Sequence, residues 1–308
     1  MPPPDVSIVI LTQRRPQGLR TAIRSVFMQA HVDFTALELV IVDNDRTPSA
    51  QPLVVELAAT APLGVVFVHE PIAGVATARN AGLAVARGRF IAFLDDDEEA
   101  SQAWLAGLRA VQALCGADVV FGPVKARAHQ ASVTRRRYFE WFFSRHGPAG
   151  SGIIGHYYGC GNSLIRRAAL PDRHAPFRVT RNHTGGEDDL LFGEMKAADK
   201  RFAWAAQAFV WEEPVPERLT LAYTIPRAFA YGQGPSSACA VSEPPNRLGV
   251  AGWMLVGVMQ SVIFGPVAIL KWLVVRKDRA EALDRAARAL GKVLWWGPFK
   301  LRFYGRTD

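Results

Sequence analysis

The chain is poor in cysteine and lacks the common spacings of metal-binding and nucleophilic motifs. Its 308 residues include three cysteines and no CxxC pair, which excludes a disulfide scaffold and disfavours a thiolate zinc site. The seven histidines show neither HxxxH nor HExxH spacing. Neither a GxSxG elbow nor a Walker-type P-loop is present, which argues against serine hydrolases and NTPases.

The beginning of the chain lacks the features of a secretory leader. Residues 1–12 contain no basic segment followed by a long apolar run, so we expect the main part of the chain to stay in the cytosol. Charged residues are scarce, at 21%, whereas 49% of the residues are hydrophobic. This composition excludes a disordered chain, a collagen-like repeat and a coiled coil, and it favours one large folded domain with an appendage.

The basic charge is concentrated at one end of the chain. The net charge is +8, and residues 271–308 hold ten Lys or Arg against four Asp or Glu, so this tail carries six of the eight excess charges. A nucleic-acid binder would be basic more uniformly, and we expect no nucleic-acid partner. Residues 248–270, directly before the tail, contain no charged residue and are long enough to span a bilayer.

Together these two segments predict that residues 236–308 form a helical tail that associates with an anionic membrane surface. Spanning, re-entrant and interfacial placements all fit the pattern. For the apolar segment the alternative is a buried helical hairpin broken at Gly265 and Pro266. For the basic segment the alternative is an ordinary solvated helix.

Short apolar segments alternate with helical patterns through the first 120 residues. The segments typical of buried strands are residues 6–11, 38–42, 64–68, 89–94 and 118–121. Residues 157–165 also have the pattern of a strand, and helical spacing is found at residues 74–87 and 102–114. The alternation predicts an open, mostly parallel α/β sheet flanked by helices, whose ligand site lies beyond the carboxyl ends of the strands.

Acidic residues follow two of these strands and are expected to meet in one crevice. Asp43 ends the second strand, where a carboxylate can accept hydrogen bonds from a base or a ribose; capping a helix is the alternative. Asp95, Asp96 and Asp97 end the fourth strand. Three adjacent carboxylates repel one another, and a bound Mg²⁺ or Mn²⁺ would remove this repulsion. Because these ions also bind phosphates, the expected ligand is a metal with a bound diphosphate. A solvated acidic turn is the alternative.

Two further positions complete the candidate site. Arg79 lies in an Ala-rich helix after Gly74, where a guanidinium can hold phosphate oxygens; an ordinary surface arginine is the alternative. Glu187, Asp188 and Asp189 follow two glycines at the start of a predicted helix. A carboxylate at a helix N-terminus stays ionised and can act as a general base towards a hydroxyl. Simple helix capping is the alternative.

These motifs occur in an order that is typical of one enzyme family. They read VSIVILTQRRP, LVIVDND, EPIAGVATARNAGL, GRFIAFLDDDE, YGCGNSLIRR and GGEDDLLF, and together they cover about residues 5–235. In combination they resemble the family 2 inverting glycosyltransferases with the GT-A fold. The resemblance implies a Rossmann-like GT-A catalytic domain over residues 1–235, a UDP-, GDP- or dTDP-sugar donor, Mn²⁺ or Mg²⁺ as cofactor, and inversion at the anomeric carbon.

The resemblance also implies roles on the donor side, position by position. Thr12 and Asp43 would line the nucleotide pocket, and Arg79 would lie near the diphosphate. Asp95 and Asp97 are the ends of the DxD motif. Both would bind the metal, with Asp97 as the more direct ligand, and Asp95 would also contact the donor.

On the acceptor side, the resemblance implies that Asp188 is the catalytic base and that Glu187 shapes the acceptor site. The histidine that often follows the last motif is absent, and residues 211–213 (WEE) stand in its region, so a third protein ligand for the metal is not implied. A QxxRW motif is also absent. This absence implies transfer of one sugar rather than polymerisation.

We therefore expect a sugar transferase with a glycan or lipid-linked acceptor at the cytoplasmic face of the inner (plasma) membrane, in envelope polysaccharide or glycolipid synthesis. A nucleotidyltransferase or another nucleotide-sugar enzyme on a related fold is one alternative, although the first loop lacks the glycines of that class. A non-catalytic, membrane-tethered binding module is the other, although the intact acidic clusters argue against it.

Overall fold

The computed structural model describes residues 3–182, 186–242, 244–274 and 279–301. These residues fold into two compact units. The first unit contains Ser144–Glu212 and the described residues up to Lys125. The second contains Ala126–Phe143 and the described residues from Glu213 onward. The chain therefore enters the second unit twice.

The described residues form two sheets. The described strands, numbered in chain order, are β1 (Val6–Thr12), β2 (Leu37–Asp43), β3 (Gly64–His69), β4 (Phe90–Asp95), β5 (Glu98–Ala100), β6 (Val119–Phe121), β7 (Val124–Ala126), β8 (Gly152–Ile154), β9 (Ser163–Arg166), β10 (Phe202–Trp204) and β11 (Val210–Glu212). Eight of them form the main sheet in the order β3-β2-β1-β4-β9-β6-β10-β8. The second sheet has the order β5-β11-β7.

The main sheet is mostly parallel. β3, β2, β1 and β4 are parallel neighbours, and β6 is parallel to β10. β9 runs antiparallel between β4 and β6, and β8 is antiparallel to β10. The α/β fold class predicted from the sequence is therefore confirmed.

The central strands are buried on both faces because their residues are almost all apolar. β2 is buried at all seven positions. In β1, Ile8 and Ile10 join one buried cluster, whereas Val9 joins the other, as the two-residue period of a strand requires. Helices must therefore cover both faces of this sheet.

The described helices are α1 (Pro16–Phe27), α2 (Gln51–Ala58), α3 (Val75–Val85), α4 (Trp104–Cys115), α5 (Val133–Phe143), α6 (Glu187–Ala197), α7 (Leu221–Val241), α8 (Arg247–Leu273) and α9 (Arg279–Val293). Short 3-10 helices occupy Phe34–Ala36, Arg167–Ala169, Val179–Arg181, Pro216–Arg218 and Gly297–Phe299. Pro16 begins α1, where its fixed φ suits the first helical position. Gly116 ends α4 with φ +56°, a left-handed conformation that glycine adopts easily.

One predicted strand is shorter than its pattern suggests. Residues 157–165 were expected to be extended, but β9 begins only at Ser163. The preceding residues form an irregular loop, and Asn162 has φ +47°, which a strand does not accommodate. This loop passes the candidate site, as described below.

The second unit is helical, and α7, α8 and α9 pack on one another within it. The domain boundary expected after residue 235 falls inside α7. Within the described part of the chain, only α8 is long and apolar enough to cross a bilayer, judged by length and composition. Residues 275–278 and 302–308 of the basic tail lie outside the described residues.

Candidate active site

Strand topology brings the first three candidate positions together. Thr12 is the register partner of Asp43, and Leu11 is the register partner of Asp95. Because β1 lies between β2 and β4, the carboxyl ends of all three strands meet at one edge of the sheet. The candidate residues that end the three strands are therefore close neighbours in the fold.

Asp43 is fully buried, and its carboxylate is hydrogen-bonded to the backbone of the following loop. Its carboxylate accepts hydrogen bonds from the N–H groups of Ala50 at 2.6 Å and Asp45 at 3.2 Å, and from the Ser49 hydroxyl at 3.4 Å. These bonds hold the loop that leads into α2. Asp43 therefore holds this loop without being the N-cap of α2, which is Ala50, and the nucleotide contact stays a prediction.

Asp96, the middle residue of the acidic triplet, is held by Thr12 at the end of β1 and by Arg15 directly before α1. Thr12 Oγ1 donates to Asp96 Oδ2 at 2.8 Å, and Arg15 Nη1 donates to Asp96 Oδ1 at 3.1 Å. Arg15 also donates to Asp97 Oδ2 at 2.7 Å. Burial raises the pKa of Asp96 to about 6, although the Thr12 hydrogen bond and the Arg15 charge oppose the rise. Thr12 and Asp96 are thus tied together.

Asp95 is joined by a carboxyl group that the sequence reasoning missed. Glu98 is buried, and its Oε2 accepts the backbone N–H of Asp95 at 3.0 Å. Burial, together with the charge of Asp95, raises the pKa of Glu98 well above its usual range. Burial also raises the pKa of Asp95, which Arg79 opposes and Asp97 reinforces. The signal for Glu98 was its position directly after the acidic triplet.

The donor chemistry at this strand end fits a hard divalent cation. Burial raises the pKa of Asp95 and the charge of Asp97 adds to the rise, so a cation bound by the two carboxylates would lower the electrostatic cost of keeping both ionised. In the described part of the chain, no three His, Cys, Asp or Glu side chains are gathered as a ready-made metal cage. Mg²⁺ is commonly held by one or two carboxylates plus substrate phosphates, so Asp95 and Asp97 are the candidate ligands, and Asp97 is paired with Arg15 in this structure.

Arg79 and Glu187 form a buried ion pair across the site. Their side chains are 7% and 6% exposed, and Arg79 Nη1 donates to Glu187 Oε1. The Arg79 guanidinium lies 5.9 Å from the ring centre of Phe93 and 5.3 Å from that of Phe177. Its Nε is buried without a hydrogen-bond partner among the described residues. Arg79 is therefore no surface arginine, and Glu187 joins the donor side of the site to α6.

Asp188 is hydrogen-bonded to the loop that passes Asp95, whereas no hydrogen bond joins the Asp189 side chain to that loop among the described residues. Asp188 Oδ2 accepts the backbone N–H of Cys160 at 3.0 Å, and Oδ1 accepts that of Asp189 at 2.9 Å. The charge of Asp188 acts on both Asp95 and Arg79. Asp189 is exposed. Of the two glycines before the cluster, Gly185 lies outside the described residues, and Gly186 has φ +79°.

A glycine loop at residues 159–161 separates the two acidic groups. A Cβ on Gly161 would collide with the Asp95 carboxylate, and one on Gly159 would lie 3.2 Å from Asp188 Oδ2. The loop therefore approaches Asp95 on one side and Asp188 on the other. A side chain at Gly161 would displace the Asp95 carboxylate, and one at Gly159 would press on that of Asp188.

Arg145 is a further member of the site that the sequence reasoning missed. Its Nη1 donates to the carbonyl oxygen of Gly161 at 2.5 Å, and its guanidinium lies 5.9 Å from the ring centre of Tyr158. Its positive charge lowers the pKa of Asp95 and of Glu98, against the effect of burial. No sequence motif contained this arginine, because it enters the site from a segment whose residues match no pattern.

The arrangement combines three chemical capacities in one crevice. The Asp95 and Asp97 pair can hold a cation, and the Arg79 guanidinium has one unpartnered N–H. Asp188 offers a carboxylate whose two oxygens are fixed by backbone N–H groups. Anionic groups and a hydroxyl could therefore be held side by side.

The comparisons with known proteins identify the family. Residues 7–173 match the family model described as Glycosyl transferase family 2. Over 230 residues the chain is 36% identical to the succinoglycan biosynthesis protein ExoM of Rhizobium meliloti, a match that covers 74% of this chain and 73% of ExoM. The chain therefore belongs to glycosyltransferase family 2, and the resemblance found in the sequence is confirmed.

Solved structures agree on the fold. The mannosyltransferase PcManGT from Pyrobaculum calidifontis, solved with GDP-Man and Mn²⁺, matches with a TM-score of 0.58 at 19% identity, covering 95% of this chain and 88% of that one. S. aureus TarS 1-349, solved with UDP-GlcNAc, matches with a TM-score of 0.55 at 17% identity, covering 94% of this chain and 90% of that one. At these identities the likeness concerns the fold alone.

Proposed function

We propose that this family 2 glycosyltransferase transfers one sugar, with inversion, from a UDP-, GDP- or dTDP-sugar to a hydroxyl of a glycan or lipid-linked acceptor. The observation that carries the proposal is the convergence of Asp95 and Asp188 on either side of the glycine loop at residues 159–161. One group belongs to the donor side and the other to the acceptor side. A transferase needs both within reach of a single anomeric carbon.

On the donor side, Asp95 and Asp97 are the proposed holders of Mn²⁺ or Mg²⁺. The metal would neutralise the diphosphate and so favour departure of the nucleoside diphosphate. The solved complexes of PcManGT with GDP-Man and Mn²⁺ and of TarS with UDP-GlcNAc support this class of donor. Arg79 is fixed by Glu187, and its unpartnered Nε is a donor suited to a phosphate oxygen.

Thr12 and Asp43 are proposed to line the nucleotide pocket. Both stand at the strand ends beside the acidic cluster, which supports the proposal. The hydroxyl of Thr12 is engaged by Asp96, and the carboxylate of Asp43 is engaged by the loop before α2. We therefore propose that they act mainly by fixing the shape of the pocket wall.

On the acceptor side, Asp188 is the proposed general base. The acceptor oxygen attacks the anomeric carbon from the face opposite the diphosphate, its proton passes to Asp188, and the bonding pair of the old glycosidic bond leaves with the diphosphate. Configuration inverts because attack and departure occur on opposite faces. The two backbone hydrogen bonds to Asp188 support this role, since they fix the carboxylate in one orientation.

The setting that we propose is envelope polysaccharide or glycolipid synthesis at the cytoplasmic face of the membrane. The identity to ExoM, named for succinoglycan biosynthesis, supports a polysaccharide product. The apolar helix α8 and the basic tail support membrane association. Flotation of the full chain with anionic vesicles tests the membrane part of the proposal.

The transferase proposal is tested by offering UDP-, GDP- and dTDP-sugars to the purified full chain and measuring release of the nucleoside diphosphate with Mn²⁺ or with EDTA. We expect release from one nucleotide class, and only when the metal is present. Asp188→Asn should lower this release strongly, whereas Asp189→Asn is the matched control and should keep it. Absence of both release and thermal stabilisation with every donor would contradict the proposal.

A further inference from the structure

One face of α8 is apolar and exposed along most of the helix. We call it the outer face and define it by Leu255, Val258, Met259, Val262, Ile269 and Leu273. These side chains are between 47% and 74% exposed, although each is large and apolar. Their spacing places them on one side of the helix, which is about 40 Å long for its 27 residues. An apolar surface of this length marks an interaction site.

The opposite side of α8 is covered by α9, which runs antiparallel to it. The Arg279 guanidinium lies 5.0 Å from the ring centre of Trp272, and that of Arg285 lies 6.0 Å from Phe264. At the other end, a Cβ on Gly257 would lie 2.8 Å from the Cβ of Lys292. Helix α9 thus follows α8 from residue 272 to residue 257.

Contacts with α7 hold helix α9 in this position. A Cβ on Gly291 would collide with the carbonyl of Phe229 in α7, so these helices touch backbone to backbone. Gln233 Nε2 donates to the carbonyl oxygen of Leu294 at 2.7 Å, and Ser236 Oγ donates to that of Lys292 at 2.8 Å. The charged side chains of α9 therefore cannot leave the neighbourhood of α8 without breaking these contacts.

These charges decide between the possible placements of α8 in a membrane. The middle of α8 is residue 260, so the levels of Arg285 and Lys292 lie only about 6 Å and 4.5 Å from it along the helix axis. If α8 spanned a bilayer, both charges would sit near the centre of the hydrocarbon, where charged groups are strongly disfavoured. If α8 lies parallel to the surface, the same charges stay on the water side.

We propose that α8 lies in the plane of an anionic bilayer, with its outer face in the boundary between headgroups and acyl chains and with α9 above it. This inference rests on the membrane association in the proposed function and specifies its geometry. Anionic lipid is the occupant because the chain carries ten Lys or Arg against four Asp or Glu between residues 271 and 308. Basic residues next to an apolar helix face add electrostatic attraction to anionic lipid to the burial of apolar area.

An apolar cavity at one end of α8 agrees with lipid as the partner. Its volume is about 530 Å³, and it is lined by side chains of α7, α8 and α9, among them Ile225, Ile269, Trp272 and Leu283. Water gains few hydrogen bonds in such a space, whereas a hydrocarbon chain fills it favourably. The cavity adjoins the outer face, since Ile269 belongs to both.

The first experiment measures flotation of the full chain with vesicles of phosphatidylglycerol and phosphatidylcholine. Val262→Asp places a carboxylate on the outer face, and we expect it to weaken the binding by about ten-fold or more. The matched control is Val55→Asp, because Val55 is 64% exposed and Val262 is 70% exposed. Equal binding of the two variants would overturn the inference. Self-association through Val262 without vesicle binding would overturn it as well.

The second experiment separates an in-plane helix from a spanning one. Cys115 and Cys239 are replaced by alanine, buried Cys160 is kept, and single cysteines are placed by Pro245→Cys and Glu281→Cys. Pro245 lies before the start of α8, and Glu281 lies in the first turn of α9, which follows the end of α8. In sealed inside-out membrane vesicles, an impermeant maleimide should modify both. Modification of one alone, with the other reacting only after detergent is added, would overturn the inference.

The outcomes also distinguish failure of this inference from failure of the proposed function. One-sided labelling rejects the in-plane geometry but leaves membrane association intact. Absence of the full chain from the membrane fraction rejects both the inference and the membrane part of the proposed function. Nucleoside diphosphate release is measured without vesicles, so its loss rejects the transferase proposal and leaves the placement of α8 unaffected.

Discussion

Replacement of Asp188 by asparagine tests the proposed mechanism at a single atom. In the native protein, Asp188 Oδ2 accepts the N–H of Cys160 and Oδ1 accepts the N–H of Asp189. Asparagine keeps one carbonyl oxygen, so one of these two bonds survives, whereas the amide NH₂ faces the other N–H donor. The substitution keeps the size of the side chain but removes the oxygen that would take the acceptor proton.

Two magnitudes follow from this geometry. Loss of a general base lowers the rate by about 10²–10⁴, which corresponds to about 3–5 kcal/mol of transition-state stabilisation. Loss of one hydrogen bond to a partly buried backbone N–H costs about 1–3 kcal/mol of folding free energy. We therefore expect Asp188→Asn to be folded, slightly less stable and almost inactive. Its affinity for the donor should be nearly unchanged, because the base acts in the transition state.

Three measurements check this prediction on one preparation. Steady-state kinetics gives kcat, calorimetry with the nucleoside diphosphate gives donor affinity, and urea unfolding gives the stability. Asp189→Asn is the matched control, since it makes the same chemical change at the exposed neighbouring residue. We expect it to keep wild-type turnover.

The reasoning would be refuted by either of two results. If Asp189→Asn is inactive and Asp188→Asn is active, the base has been placed one residue too early. If Asp188→Asn binds the donor much more weakly than the native protein does, Asp188 acts on the donor side and the assignment of a base is wrong.

Further predictions concern the donor side and the buried thiol. Asp97→Asn should weaken nucleotide binding in Mn²⁺ but not in EDTA; equal loss in both would contradict the proposed metal role. Glu187→Gln should destabilise the fold by about 3 kcal/mol, because Arg79 loses its buried partner, and adding Arg79→Met should recover part of that loss in urea unfolding. Because burial raises the pKa of Cys160 to about 12, the thiol should resist a disulfide reagent at pH 8 until the protein is denatured, and rapid native labelling would refute this.

The sequence predicted the sheet and the donor-side residues because both depend on local patterns. Apolar runs such as that of β2 specify a strand buried on both faces, and the alternation with helices specifies parallel neighbours. The ends of adjacent parallel strands meet at one edge, so Asp43 and Asp95 could be brought together before any coordinates were known.

The remaining features depend on contacts between distant residues. Arg15 and Asp96 are 81 residues apart, and no periodicity links them, so their ion pair could not be predicted. Arg145 enters the site from a segment without a motif. The loop at residues 159–161 was predicted as a strand because its flanking residues are aromatic and apolar. Its two glycines instead leave space for the carboxylates of Asp95 and Asp188.

The position of β9 in the sheet has a consequence for the synthesis of the chain. β6 pairs with β9 and β10, which both follow it in sequence, so β6 has no partner in the main sheet until residue 163 has left the ribosome. At about 5–20 residues per second, the 42 residues from Phe121 to Ser163 take about 2–8 s. During that interval the apolar edge of β4 is open. The loop at residues 159–161 emerges immediately before β9, so the segment that joins β4 to β6 also brings in the loop that lies against Asp95. A nascent chain without β9 therefore has neither a continuous main sheet nor the loop beside Asp95.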